Sequence, residues 1–164
     1  MKAWVQQTYF KNPFYVIFLG LLLASLFVPA VEFDKICNVE ETSWLWSDPL
    51  GSIEIMGGLE LLLNGFFGVV FMQLGAVGWL ANPLFIIFLF GAYRPKEMQR
   101  NKRISTGALL LVLSSLLLTN IFPLLGDEGG VCYLSANSPK LGYWLWLGAA
   151  ALMAYISWKP LHGK

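Results

Sequence analysis

The chain has 164 residues, of which 57% are apolar and only 13% charged, with a mean hydropathy of +0.61 and a formal net charge of +1. A soluble domain carries about a quarter charged residues, so this chain cannot cover a water-exposed surface, and lipid is its expected main solvent. So balanced a charge leaves no electrostatic footprint for nucleic acid, and the basic cluster from Arg94 is read as a topology signal.

Charge placement sets the expected threading. Nine of the eleven Lys and Arg residues fall in three patches: Lys2 with Lys11, Arg94 to Arg103, and Lys159 with Lys164. Eight of the ten acids fall in two others, Glu32 to Glu54 and Asp127 to Glu128. Apolar stretches separate the two sets, as in a multi-spanning protein whose basic loops and termini stay in the cytoplasm.

The first apolar run, 13–31, is just long enough to cross a bilayer, and Trp4, Tyr9 and Tyr15 suit its cytoplasmic interface. A rival reading is a signal peptide, with Lys2 and Lys11 as its basic start and Val28-Pro29-Ala30 as its cleavage site. We expect the segment to be retained as a span. An acidic outer loop, 32–66, follows.

The run from Ile53 to Tyr93 would reach roughly 60 Å as one helix, too long for one crossing. An acidic loop before it and a basic loop after it demand an odd number of crossings. The expectation is therefore one span over 67–93, preceded by an outer half-helix that is interfacial, re-entrant or an extension of the span. Pro83 should kink this span by freeing the Trp79 carbonyl. Gly58, Gly65, Gly68, Gly75 and Gly78 recur at spacings that keep most of them on one slowly drifting stripe, joined by Asn64 and Asn82. Small residues let helices approach closely in lipid, so the stripe predicts helix packing within the chain or against a partner.

The third span, 104–126, starts after Lys102 and Arg103 and ends at Pro123 and Gly126. A second outer loop, 127–140, leads to the fourth span, 141–158. Tyr143, Trp144 and Trp146 mark its outer end, and Tyr155 and Trp158 its inner end. The two outer hairpins share a pattern: Phe and Pro at a helix end, then acids, a cysteine and Trp-Leu-Trp at 44–46 and 144–146. A duplicated two-helix unit would explain this, as would the shared interfacial environment.

Cys37 and Cys132 are the only cysteines, and both fall on the outer side, where disulfides persist. One structural bond is expected between them. A thiol–disulfide oxidoreductase would need a close C-x-x-C pair and a second pair, which are missing. Glu60 is the one acid inside an apolar run. With Asn64 and Asn82 it is the candidate intramembrane polar site, although surplus length in that run also allows Glu60 to sit at the interface. His162 is the single histidine, so no metal site of usual composition and no cofactor is expected. No hydrolase, phosphate-loop or dinucleotide motif occurs.

The expected fold is all-α: four transmembrane helices, both termini cytoplasmic, in a bacterial inner membrane. The expected function is non-catalytic binding of another membrane protein, as a small subunit, assembly factor or immunity-type partner. Alternatives are a small oligomeric transporter or channel and a membrane thiol–disulfide oxidoreductase. Membrane lipid and a second integral membrane protein, or another copy of the chain, are the expected partners.

Overall fold

The computed structural model describes residues 13–37, 52–91, 98–126 and 132–158. Outside the described residues lie Lys2 and Lys11, the Trp44-Leu45-Trp46 triplet, Arg94, Asp127 and Glu128, Lys159, His162 and Lys164. The order is α1 (Pro13–Leu26), β1 (Pro29–Cys37), β2 (Ser52–Gly57), α2 (Gly58–Val70), a 3-10 helix (Leu74–Leu80), α3 (Ala81–Gly91), α4 (Met98–Ile121), β3 (Leu124–Leu125), β4 (Cys132–Pro139) and α5 (Leu141–Trp158).

The fold is mixed α/β, which corrects the all-α expectation. Four antiparallel strands form a sheet in the order β2-β1-β4-β3. Their signal is an alternation with period two inside stretches that charge alone assigns to loops. In β1, Val31 and Phe33 are buried while Glu32 and Asp34 point the other way. In β4, Cys132, Leu134 and Ala136 are buried and Tyr133 and Asn137 are exposed. In β2, Met56 is buried and Ile53 and Ile55 face out.

The span count is corrected as well. Among the described residues two helices are long and apolar enough to cross a membrane: Gln99–Ile121, of 23 residues, and Leu141–Trp158, of 18. Gly58–Val70 and Leu74–Leu89 make a third only if counted as one span, and they meet at a bend of 118°. Helix α1 has 14 residues, or about 21 Å, short of the ~30 Å of hydrocarbon. Its end is set by Pro29, because a residue before proline is disfavoured in helical geometry. Residues 29–31, expected in the first span, instead open β1. Pro123 ends α4 in the same way, and 124–125 pair into the sheet.

The sharp bend of this run lies ahead of Pro83, between Val70 and Leu74. Pro83 sits in the first turn of α3, where a missing N–H costs little. The chain breaks earlier, at 71–73, where Met72 takes a left-handed conformation with φ 56°. From that bend the 3-10 helix runs back along α2.

The helices pack through rings and small residues. Phe18 of α1 meets Phe85 and Phe88 of α3 edge-on, at ring-centroid distances of 5.9 and 6.2 Å. Ser105, Ala108, Ala149 and Ala150 are fully buried and let α4 and α5 approach closely. The sheet covers the end of the bundle where α1 and α4 stop and α5 begins, burying Val31, Phe33, Met56, Leu134 and Ala136. At that junction Lys140 pairs with Glu32, and the Lys140 N–H donates to the Ala30 carbonyl at 2.8 Å. The opposite end carries Arg100, Lys102 and Arg103, with the Lys102 ammonium 5.0 Å from the Trp158 ring. Among the described residues the acids Glu32, Asp34, Glu54 and Glu60 lie toward the sheet end, together with Lys35 and Lys140.

Candidate functional site

A cavity of about 120 Å³ lies where the sheet meets the helices. Its wall runs from Ser25 of α1 to Trp146 of α5. Small residues open the space: Ala30, Ala76 and Ala136 border it, together with four of the five stripe glycines.

The polar groups around the cavity bond mainly to the protein. Trp79 Nε1 donates to the Leu62 carbonyl at 2.6 Å, closing α2 onto the 3-10 helix. Tyr143 Oη and Ser115 Oγ both donate to the Val112 carbonyl, at 2.9 and 2.7 Å. The Thr119 hydroxyl lies 2.8 Å from the Ser115 carbonyl and 3.1 Å from that of Gly75. Trp146 Nε1 donates to Asn82 Oδ1 at 3.1 Å. This fixes the Asn82 amide and leaves its Nδ2 with no acceptor among the described residues.

The stripe glycines all meet other parts of this chain. A Cβ on Gly58 would strike the Ser25 carbonyl, one on Gly75 the Phe122 carbonyl, and one on Gly78 the Ser115 side chain. On Gly65 it would lie 2.5 Å from Trp79 Cδ1, and on Gly68 2.5 Å from Ala76 Cβ. The stripe thus closes α2, the 3-10 helix and α4 on one another.

The polar candidates are not brought together. Glu60 is exposed and reaches back over its own helix terminus, with Oε2 3.3 Å from the Gly57 N–H. It borders a shallow groove with Phe27, Ile55, Leu59 and Leu63, outside the cavity. Asn64 is also exposed, its amide 3.6 Å from Met56 Sδ. Asn82 alone of the three lines the cavity. The cysteines are brought together: the antiparallel register sets Cys37 opposite Cys132, and Cys132 is not a free thiol. Among the described residues no group of three or more His, Cys, Asp or Glu gathers as a metal site would.

A second surface was missed by the sequence reading. Strand β2 is a sheet edge, and its outer row of backbone N–H and C=O groups has no partner strand among the described residues. Ile53 and Ile55 on this strand are 62% and 56% exposed. They stand opposite Asp34 and Glu32 of β1, on the polar face of the sheet. The readable signal was Ile53-Glu54-Ile55, an alternation whose apolar members point outward. Compared with family models, curated proteins and solved structures, the chain has no match.

Proposed function

We propose that the protein is a non-catalytic inner-membrane protein that binds another membrane protein through the β2 edge of its sheet. The β2 edge is the observation that carries this reading. Exposed apolar side chains on α4 and α5 are accounted for by lipid, but Ile53 and Ile55 share a sheet face with Glu32, Asp34 and Ser135. The acids and the serine of that face suit water, and Ile36 and Tyr133 are exposed on it as well. Apolar residues there, on an edge strand that no other described strand pairs on its outer side, suit strand addition by a partner. Natural edges are usually blunted by a charge, a proline or a bulge. Strand β2 has Glu54, whose position alternates with those of the two isoleucines, and a register shift against β1 confined to its Gly57 end.

Photo-crosslinking residues at positions 53 and 55, in cells, test the reading against the same residue at 113, an exposed position on α4. One distinct partner captured at 53 and 55 but not at 113, as a stoichiometric complex that Ile55→Lys disperses, is the expected result. A self-adduct between two copies would move the weight to the oligomeric transporter. Capture at neither position, with a monomer in mild detergent, would remove the reading.

A further inference from the structure

We infer that the cavity beneath the sheet binds a small hydrocarbon group bearing one hydrogen-bond-accepting oxygen, a ketone or ester carbonyl. This site lies apart from the β2 edge and does not depend on it. At about 120 Å³, the space approaches the roughly 150 Å³ apolar cavity that holds a benzene molecule. Ala30, Val31, Phe33, Leu61, Leu116 and Leu124 give it a predominantly apolar wall.

Its polar groups point to an acceptor rather than a donor. The hydroxyls of Ser25, Ser115 and Tyr143 donate to backbone carbonyls, and the Trp79 and Trp146 indoles are committed to Leu62 and Asn82. The one uncommitted side-chain donor among these groups is Asn82 Nδ2, held in orientation by the Trp146 indole on its other amide atom. A carbonyl oxygen satisfies it while the hydrocarbon body fills the apolar remainder. Such a group has two natural sources: the ester end of a membrane lipid, or a free small ketone or ester.

The test uses full-length, nitrogen-15-labelled protein in amphipol, titrated with cyclopentanone and, separately, cyclopentane. The Trp146 indole N–H resonance, assigned with Trp146→Phe, should shift saturably, while that of Trp158 at the other end of α5 should not. Cyclopentanone should bind roughly fivefold more tightly than cyclopentane, the factor expected from one net hydrogen bond. Asn82→Leu should erase that preference, with cyclopentane still saturating. Ala136→Leu, which fills the cavity from the sheet side, should abolish the saturable response to both probes. Adding a diacyl phospholipid separates the sources: reversal of the cyclopentanone shift assigns the site to a lipid ester, and no reversal assigns it to a free small molecule. Unsaturable shifts spread over all indole signals, or saturable shifts that persist in Ala136→Leu, would overturn the inference.

Discussion

Two glycines in apolar helices should respond to alanine with opposite signs. A methyl group added to Gly20, in α1, would meet nothing within 4 Å, so Gly20→Ala gains helix propensity alone, about 1 kcal/mol. At Gly65 the same methyl would stand 2.5, 2.9 and 3.0 Å from Trp79 Cδ1, Cγ and Cβ. Carbon atoms prefer separations of about 3.5–4.0 Å, so the indole must move. It is tethered by the 2.6 Å bond from Nε1 to Leu62. Overpacking costs about 1–3 kcal/mol and the lost hydrogen bond about 1 more. Setting the ~1 kcal/mol propensity gain against these leaves Gly65→Ala destabilised by about 2 kcal/mol. For a chain of this size that is a fall in Tm of roughly 4–8 °C, against a rise of roughly 2–4 °C for Gly20→Ala.

Thermal unfolding in one mild detergent, followed by circular dichroism, reads both variants. Trp79→Leu in the Gly65→Ala background provides the control. If the clash is with the indole, the double variant should lose less than the sum of its single variants. Equal melting of Gly65→Ala and the parent, or an equal fall for both alanine variants, would refute the reasoning.

Other consequences follow from the same geometry. Cys37 and Cys132 should be found disulfide-linked by non-reducing mass spectrometry; two freely alkylated thiols in protein from an oxidising compartment would contradict this. Loss of that link should lower stability by up to about 4–5 kcal/mol, the chain-entropy value for a loop near 100 residues. Met72 is 90% exposed at φ 56°, so Met72→Gly should keep or raise stability by up to about 1 kcal/mol, and Met72→Val should lower it by at least as much. Reporter fusions after Arg103 and after Lys140 should report the cytoplasm and the outside respectively; an outside signal after Arg103 would invert the proposed orientation.

The two long helices were legible because their signals are one-dimensional. Leucine-rich sequence between Lys102-Arg103 and Pro123, and an aromatic-flanked run ending at Trp158, define α4 and α5 without reference to the rest of the chain. The sheet was not legible by hydropathy, because averaging over Val31-Glu32-Phe33-Asp34 cancels the alternation that makes it a strand. Acids there read as a solvated loop, whereas in the fold they form one face of β1. The first span failed at Pro29, whose restriction on Val28 outweighs the apolar character of the residues around it. The cavity could not be read in advance. The donor left over among the described residues depends on a bond between Asn82 and Trp146, side chains of α3 and α5 that only the folded chain brings together.

The order of the sheet does not relate the two outer hairpins by a two-fold axis. In each hairpin one strand follows a helix, β1 after α1 and β3 after α4, and a second strand leads into a helix, β2 into α2 and β4 into α5. A two-fold axis through the middle of the order β2-β1-β4-β3 would exchange β1 with β4 and β2 with β3, matching first strands to second strands. The hairpins instead lie side by side in the same sense. The Trp-Leu-Trp triplets also differ in place: residues 44–46 precede the second strand of their hairpin, whereas 144–146 follow it, inside α5. What the hairpins share is an environment: a helix that must stop, a proline that stops it, and a strand carrying a cysteine to the sheet. The same-sense arrangement also leaves two unlike edges. One is β3, only two residues long, and the other is β2, with six residues and outward isoleucines. Of the two edge strands β2 is the longer, which is why the proposed interface is placed on it.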